Sequence, residues 1–386
     1  MRILVLTFYF EPDLCAGSFR TTPFVEELKN ISMSDDKIDV ITTMPNRYGT
    51  FNTKAKEIEK IDNVYIDRID LGTHKSGFFD QSLLFGKFAW NVLELIKNRE
   101  KYDIVYATSS RLMTAFLGAL ISNRQKAKLY LDIRDIFTDT LESVFKDSKL
   151  RYIIPIFKKI ENYTIKSAKH INIVSKGFEQ YFKYINPNCK YSFYTNGIDD
   201  IFLDYDFSQE NKNEKQIITY AGNIGEGQGL EKIIHDMAKK LGENYLIQII
   251  GDGGRKKALI ESVEDLSNVK LINPVSRDEL LSIYKKSDIL FLHLNNYEAF
   301  KKVLPSKIFE YAITDKFIIA GVGGYAAEFI EQNISDAIVF EPCNIGDFYS
   351  KFRKIKSFRN INRREFSNKF NRKSIMKLMA DEVYKV

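Results

Sequence analysis

The sequence is poor in the residues that build metal centres and disulfide frameworks. Its 386 residues include 3 cysteines and 4 histidines. Cys15, Cys189 and Cys343 are widely separated and show no metal-ligand spacing. Because a disulfide framework needs cysteines in pairs, we expect a protein of a reducing compartment, with the cytoplasm as the default.

Long apolar runs are also missing. No stretch approaches the roughly 18 apolar residues of a membrane-spanning helix. The apolar N-terminus, MRILVLTFYF, is short and lacks a small-residue cleavage site, so it predicts a buried first strand and not a signal peptide. We therefore expect a soluble protein or one bound peripherally to a membrane.

The net charge of +6 is distributed unevenly. Residues 345–386 contain 12 lysines and arginines and 4 acidic residues, an excess of 8 positive charges. Such a segment favours anionic partners, such as anionic lipid, nucleic acid or a phosphorylated substrate. The sequence has no zinc module or nucleic-acid motif, so nucleic acid is not expected.

Apolar strand patterns alternate with helical patterns along the chain. The strand patterns begin with RILVLTF, IDVITT, VYIDRID, YDIVYAT, AKLYLDIRD and HINIVS, and they restart with QIITYAG after an acidic stretch near residue 200. This alternation is typical of parallel sheets covered on both faces, and the length suffices for two cores. We predict two α/β domains, at residues 1–198 and 199–365, and a C-terminal helix at 366–386.

Three loops of the predicted second domain follow strands, where ligands collect in open α/β sheets. Their sequences are YAGNIGEGQGLEK, IIGDGGRKK and VLPSKIFEY. In the first, glycines from Gly222 to Gly229 let backbone amides approach an anion closely. The alternative is a tight turn without a ligand.

The stretch VLPSKIFEY predicts an anion site at the start of a helix. Pro305 suits the first helical positions, Ser306 can cap the helix, and Lys307 adds positive charge where the helix dipole favours an anion. Glu310 follows Ser306 by one turn on the same face, where its carboxylate can accept bonds from vicinal hydroxyls. The pair would fit a nucleoside diphosphate, and a capped surface helix is the alternative.

With these motifs in this order, the chain resembles the family-4 retaining glycosyltransferases of the GT-B fold. Within them it is similar to the bacterial surface-polysaccharide branch, which makes O-antigen or capsule and includes fucosaminyltransferase-like members. The resemblance runs from FYFEPDLCAGSFR and IRD through TNGID and YAGNIG to PSKIFEY and GVGGYAAEFIE. It implies two Rossmann-like, doubly wound parallel-sheet domains facing a central cleft, the first for the acceptor and the second for the donor.

The resemblance also implies roles for individual residues. It assigns donor nucleotide binding to Gly222, Asn223, Gly225, Gly251, Arg255, Val275, Pro305, Ser306, Lys307 and Glu310. It places Gly17, Ser18 and Lys302 at the donor sugar or the cleft.

Two departures from the family pattern concern charge. The family pairs two glutamates eight residues apart, but Lys302 stands eight residues before Glu310; Glu298 is an open substitute. Many members carry an arginine and a lysine in the glycine-rich loop, where this chain has Asn223 and Gln228. The resemblance therefore leaves the neutralising cation to be one of Lys307, Arg255 and Lys302.

A third departure lies in the first domain. Where many relatives have a histidine followed by an aspartate, this chain has Arg134 and Asp135. We take both as catalytic candidates together with Lys307, and a structural salt bridge is the alternative. His293 ends the strand pattern ILFLH and is interpreted as a core or edge residue. Asp204–Asp206 imitates an Asp-x-Asp metal motif, but it lies in the acidic linker and is interpreted as solvated.

The resemblance predicts a retaining glycosyltransferase that needs no metal or other cofactor. It would move a sugar, of the UDP-linked N-acetylated hexosamine type, to a lipid-linked (polyprenyl-diphosphate) saccharide in bacterial surface polysaccharide biosynthesis. We expect it at the inner face of the cytoplasmic membrane. Two stretches with aromatic and basic residues would contact anionic lipid there: one includes Phe85, Phe88, Trp90 and Leu93, and the other spans residues 145–184. The alternative is that both are ordinary helices facing the core of the first domain.

Two other functions remain open. A nucleotide-sugar 2-epimerase shares the GT-B architecture, but the sequence lacks the cluster of acidic and histidine residues that reversible elimination needs. The departures at Lys302, Asn223 and Gln228 also suit an inactive nucleotide-sugar-binding partner.

Overall fold

The computed structural model describes residues 1–13, 15–45, 55–72, 78–109, 112–145, 148–208, 214–314, 316–355 and 363–386. Parts of three predicted segments lie outside these ranges: residues 146–147 of the aromatic stretch, 209–213 of the acidic linker and 356–362 of the basic C-terminal segment.

The first sheet of the chain has β1 at its centre. The described strands run in the order β3-β4-β2-β1-β5-β6-β7-β8, and all neighbours are parallel except β3 and β4. Their bounds are β1 (Arg2–Leu6), β2 (Lys37–Thr43), β3 (Ile58–Ile61), β4 (Val64–Ile69), β5 (Ile104–Thr108), β6 (Lys128–Ile133), β7 (His170–Ile173) and β8 (Lys190–Ser192). The accompanying helices are α1 (Ala16–Ile31), α2 (Phe78–Lys97), α3 (Leu112–Gln125), α4 (Phe137–Val144), α5 (Ile154–Ser167) and α6 (Glu179–Ile185).

The second sheet is parallel throughout. Its described strands run in the order β11-β10-β9-β12-β13-β14. Their bounds are β9 (Gln216–Ala221), β10 (Tyr245–Ile250), β11 (Val269–Ile272), β12 (Ile289–His293), β13 (Phe317–Gly321) and β14 (Ala337–Phe340). The accompanying helices are α7 (Asp200–Leu203), α8 (Ile234–Leu241), α9 (Lys256–Val263), α10 (Arg277–Lys286), α11 (Lys307–Ile313), α12 (Tyr325–Asn333), α13 (Ile345–Phe352) and α14 (Arg364–Lys369). The last helix of the chain, α15 (Arg372–Tyr384), belongs with the first sheet.

The order of the strands reverses within each sheet, and loops at such a point commonly bind ligands. The order reverses between β1 and β5 in the first sheet and between β9 and β12 in the second. Strands β5, β12 and β13 are buried along their whole length, as expected for parallel strands covered on both faces. The predicted α/β class with doubly wound parallel sheets is thus confirmed, and the loops after β9 and β12 are the natural ligand position in the second sheet.

The chain divides into two units. One unit contains residues 1–196 and 372–386, and the other contains residues 197–371. The return to the first unit begins at Arg372, because its side chain donates hydrogen bonds to the backbone oxygens of Asn196 (2.9 Å) and Phe19 (3.1 Å). Helix α15 then packs on α1.

Among the described residues, no helix has both the length and the apolar character needed to cross a membrane.

A buried ion pair joins helix α1 to strand β6 in the first unit. Arg20 of α1 and Asp132 of β6 are 1% and 0% exposed. The guanidinium donates to both carboxylate oxygens, with Nε–Oδ2 at 2.7 Å and Nη2–Oδ1 at 2.8 Å. It also donates to the backbone oxygens of Tyr194 (2.8 Å) and Thr195 (2.7 Å), so one side chain joins α1, β6 and the segment that leaves the unit.

Replacing Arg20 by methionine should destabilise the first unit strongly, because it leaves the Asp132 carboxylate buried without its cation. We expect the free energy of unfolding in urea to fall by about 3–5 kcal/mol. As a control, Lys183→Gln removes the exposed pair with Glu179 and should change it by less than about 1 kcal/mol. Equal effects of the two substitutions would contradict this role of Arg20.

Candidate functional site

Two loops of the second unit are joined backbone to backbone. The glycine-rich loop, residues 222–229, follows β9, and the loop at residues 251–255 follows β10. The amide of Ile224 donates to the oxygen of Asp252 (2.8 Å), and the amide of Arg255 donates to the oxygen of Ile224 (2.9 Å). The first loop is therefore held in one shape by the second.

The close approach of these two loops explains why residue 251 is a glycine. Gly251 has φ of +147°, and a Cβ there would lie 1.8 Å from the backbone oxygen of Gly222. A side chain would be strained and would clash with backbone, which cannot move aside cheaply. Gly251 thus allows the close approach of the two loops.

The third predicted loop contributes Lys307, whose ammonium lies against the glycine-rich loop. A Cβ added to Gly222 would lie 1.9 Å from Lys307 Nζ, so the ammonium occupies the space that a side chain would take. Nζ also lies 5.6 Å from the centre of the Tyr220 ring. In the part of the chain that the structure describes, no ion pair reaches this ammonium. The structure therefore brings a cation to the first glycine of the loop.

Burial and a nearby carboxylate act oppositely on Lys307. Desolvation lowers the pKa of its ammonium, and the negative charge of Glu310 raises it. A buried cation with little opposite charge around it is strongly stabilised when an anion binds next to it. The arrangement suits the binding of a phosphate group.

The start of α11 differs in detail from the capped helix of the sequence interpretation. Ser306 has helical backbone angles and its side chain makes no capping hydrogen bond. Helix α11 has only 7 residues, so its macrodipole is short. Pro305 and Glu310 are half-buried, with Glu310 one turn along from Ser306. The charge at this position comes from Lys307 more than from the helix.

The glycine-rich loop contains a carboxylate that the sequence interpretation did not use. Glu226 pairs with Arg255, whose Nε lies 2.5 Å from Glu226 Oε2. The hydroxyl of Tyr297 donates to the other oxygen of Glu226 at 2.5 Å. Arg255, a predicted donor-binding cation, is thus engaged with the loop itself.

Asn223 and Gln228, which stand where the family resemblance led us to expect cations, are joined to each other and to the loop. Asn223 Nδ2 donates to Gln228 Oε1 (2.9 Å), and the amide of Gly225 donates to the same oxygen (3.2 Å). These bonds fold the loop onto itself. Both side chains act on the loop's shape and add no positive charge.

His293 at the end of β12 supports the same loop. Its ring is buried, with Nδ1 2.6 Å from the oxygen of Gln228 and Nε2 accepting from the amide of Cys343 at 3.0 Å. An Nε2 that accepts is unprotonated, so the ring is neutral and Nδ1–H donates. Desolvation lowers the pKa of His293 to about 4. This is the buried edge histidine of the sequence interpretation.

The remaining predicted residues of the second unit lie in a turn and a short 3-10 helix. Val275 is half-buried in the turn after β11, next to Ser276, whose hydroxyl accepts from the amide of Glu279 (3.3 Å) and caps α10. Lys302 is half-buried at the end of a short 3-10 helix. Glu298, in the same turn, is exposed and pairs with Lys301 at 2.5 Å.

The first unit brings its own predicted residues together at the start of α1. Gly17 and Ser18 are buried in the first turn, and a Cβ on Gly17 would lie 3.1 Å from Tyr9. Arg134 follows β6, and its Nη2 donates to the oxygen of Ala16 at 2.8 Å. Asp135 is exposed. Arg134 is thus tied to the backbone of α1.

The described residues of the acidic linker show no feature of a metal site. Asp206 accepts from the amide and hydroxyl of Ser208, both at 2.9 Å, and lies 3.7 Å from Lys285. In the described ranges, no group of three or more histidine, cysteine or acidic side chains is arranged to hold a metal ion.

The sequence of the second unit matches a known family. Residues 203–373 match the family model described as glycosyl transferases group 1. Over 98 residues the chain is also 36% identical to WcaI of Escherichia coli (strain K12), whose name describes a colanic acid biosynthesis glycosyl transferase. The aligned part spans 25% of this chain and 24% of that relative.

Solved structures match the chain over its whole length. Sucrose-phosphate synthase of Thermosynechococcus elongatus has a TM-score of 0.76 at 11% identity, with 100% and 98% of the chains covered. HepE of Anabaena, in complex with UDP, has a TM-score of 0.67 at 14% identity with both chains fully covered. The UDP-GlcNAc 2-epimerase of Neisseria meningitidis, bound to UDP-GlcNAc, has a TM-score of 0.56 at 14% identity, again over both whole chains. At these identities the likeness shows the fold, and the predicted GT-B fold is confirmed.

The neutral state of His293 should make stability depend on pH. Its pKa falls from 6.5 to about 4 on folding, so its contribution is complete above pH 6.5 and is lost as the pH falls towards 4. Between pH 7.5 and 4.5 this group should cost about 2–3 kcal/mol of unfolding free energy. Urea unfolding of the wild type and of His293→Asn at both pH values tests this. A variant with the same pH dependence as the wild type would contradict the assignment.

Proposed function

We propose that the chain is a retaining glycosyltransferase that takes its sugar from a nucleoside-diphosphate sugar. The observation that carries the proposal is the Lys307 ammonium at Gly222, the first residue of the glycine-rich loop. The match of residues 203–373 to group 1 glycosyl transferases supports it. Structural relatives that bind UDP or UDP-GlcNAc support a uridine nucleotide.

In this proposal the diphosphate lies beside the Lys307 ammonium, at the glycine-rich loop. The amides of Gly222, Ile224 and Gly225 already donate within the protein, so Lys307 supplies the attraction for the phosphates, including the charge that Asn223 and Gln228 lack. Glu310 holds the ribose hydroxyls one turn further along α11. The nucleoside base lies towards Gly251 and Val275.

Lys307 would act mainly on the leaving group. As the bond between the sugar's anomeric carbon and the phosphate oxygen breaks, negative charge grows on the diphosphate and its attraction to the ammonium strengthens. The acceptor oxygen bonds to the same face of the anomeric carbon, and its proton passes to the departing phosphate oxygen. This route retains configuration without a protein nucleophile, and we propose that it needs no metal ion.

The transferred group and acceptor are inferred from the relatives. The similarity to a colanic acid biosynthesis glycosyl transferase supports a role in bacterial surface polysaccharide biosynthesis. An N-acetylated hexosamine as the sugar, a polyprenyl-diphosphate saccharide as the acceptor, and the fucosaminyltransferase-like branch are the finer parts of the proposal. Gly17, Ser18 and Lys302 would meet the transferred sugar, with Arg134 and Asp135 as catalytic candidates.

Substitution of Lys307 tests the proposal at its central contact. Lys307→Ala should lower kcat by roughly 10²-fold, as the loss of one donor from a charge-stabilising site does. Lys307→Arg should recover only part of the lost kcat, because a planar guanidinium does not replace a compact ammonium.

Substitution of Glu310 tests the ribose contact. Glu310→Gln should weaken UDP binding by about 1.5–3 kcal/mol in calorimetry, because the carboxylate would no longer accept hydrogen bonds from the ribose hydroxyls.

The matched control is Lys215→Ala, which removes an exposed lysine that pairs with Glu243 in the same unit. It should leave kcat and UDP affinity unchanged. Near-normal kcat in a folded Lys307→Ala variant would contradict the proposal.

Exposed apolar side chains on the first unit support a membrane-facing role. On α2, Phe85 and Phe88 are buried, so these two side chains face the core and not a membrane. Leu83 and Trp90 are 74% and 68% exposed, and the exposed Lys87 lies between them in the sequence. Large apolar side chains beside lysines suit the interface of an anionic bilayer.

A second exposed stripe has the same composition. It follows α5 and the turn before it at helical spacing, and its members are Tyr152, Ile156, Lys159, Tyr163 and Lys166. We propose that both stripes contact anionic lipid at the inner face of the cytoplasmic membrane, where a lipid-linked acceptor would lie.

Vesicle binding tests the membrane proposal. Leu83→Ser with Ile156→Ser should weaken sedimentation with phosphatidylglycerol vesicles by about tenfold or more, since two apolar side chains no longer insert. Trp90, the single tryptophan, should shift its fluorescence to the blue on binding by the wild type. Ile260→Ser removes an exposed isoleucine of the second unit and should have no effect. Equal losses in both variants, or no binding by the wild type, would contradict the proposal.

The two other functions predict different behaviour towards a nucleotide sugar. The 2-epimerase alternative is favoured by the likeness to a UDP-GlcNAc 2-epimerase, but His293 is tied to backbone groups on both ring nitrogens. Conversion of a UDP-sugar without an acceptor would support it. Tight binding without transfer to any acceptor would support the inactive partner.

A further inference from the structure

The glycine-rich loop holds a negative charge at the place where the proposed function puts a diphosphate. Glu226 lies in the middle of residues 222–229, and its side chain is 24% exposed. An anion that approaches the loop finds the Arg255 guanidinium already paired with this carboxylate. A loop selected only for tight phosphate binding would not carry a glutamate here.

The Glu226 carboxylate forms an ion pair with the neighbouring guanidinium of Arg255. Arg255 uses both Nε and Nη2 on Glu226 Oε2. A second carboxylate oxygen, Glu231 Oε1, lies 3.8 Å from Arg255 Nε. The guanidinium is therefore fully compensated by protein charge, unlike the ammonium of Lys307.

The contact between Glu226 and Arg255 is exchangeable. The Arg255 side chain is 46% exposed, and exposed ion pairs contribute little net stability. A guanidinium binds a phosphate through the same fork of donors that binds a carboxylate. The amide of Arg255 is hydrogen-bonded to Ile224 within the loop, so its side chain starts beside the proposed diphosphate position.

We propose that Glu226 and the nucleotide phosphates compete for the Arg255 guanidinium, and that recapture of Arg255 by Glu226 speeds the release of the nucleoside diphosphate product. This inference rests on the proposed function. It assigns Glu226 a part in product release, and it explains why a glutamate stands in a loop that faces phosphate. Tyr297, which donates to the other carboxylate oxygen, keeps Glu226 directed towards Arg255.

The test compares UDP binding in single and double variants of the full chain. Glu226→Gln removes the competing charge and keeps the side chain's size, so UDP should bind about fivefold tighter and dissociate correspondingly more slowly. Calorimetry measures the affinity, and surface plasmon resonance measures the dissociation rate. The gain should vanish when Arg255→Gln is added, because the freed guanidinium is its source.

The control is Glu243→Gln, which breaks an exposed ion pair with Lys215 elsewhere in the same unit. It removes the same charge and should leave UDP binding unchanged. Equal tightening in this control would show a long-range charge effect and overturn the inference. Unchanged or weaker binding by Glu226→Gln, or a gain that persists without Arg255, would overturn it as well.

These outcomes are distinct from failure of the proposed function. If Lys307→Ala loses UDP binding while Glu226→Gln gains none, the competition is wrong and the proposed function stands. If the wild type binds none of UDP, GDP and dTDP, the proposed function and the competition both fall.

Discussion

The contact between the Lys307 ammonium and Gly222 is the interaction on which the proposed donor site depends. It requires a glycine after β9, because any side chain there would displace the lysine. It also requires Gly251, whose missing side chain lets the second loop hold the first in place. Three loops from three strand ends are thereby fixed around one cation, and a phosphate that binds there meets a prearranged site.

The other charges of the site are balanced within the protein. Arg255 faces Glu226 and Glu231, while Asn223 and Gln228 offer amides that shape the loop. His293 is neutral and tied to backbone. Among the described residues, Lys307 is thus a cation of the site without an ion pair, whereas Arg255 belongs to a pair that can exchange partners, and this division separates binding by Lys307 from release by Glu226.

Much of the architecture could be predicted from local patterns. Buried parallel strands such as β5 and β12 are short continuous apolar runs, and period and length suffice to find them. Strand β3 was missed, because IEKI is an exposed edge strand whose pairing with β4 leaves no apolar signature. The position of Lys307 next to a glycine 85 residues earlier in the chain is a tertiary contact that no local pattern encodes. Glu226 was missed for the same reason, since its role depends on Arg255 and Tyr297 from other loops.

A crystal structure of the chain with UDP would test the central claim most directly. We predict a phosphate oxygen within hydrogen-bonding distance of Lys307 Nζ and the ribose hydroxyls on the carboxylate of Glu310. A diphosphate bound away from Lys307, with its ammonium still against Gly222 and without a phosphate partner, would contradict it.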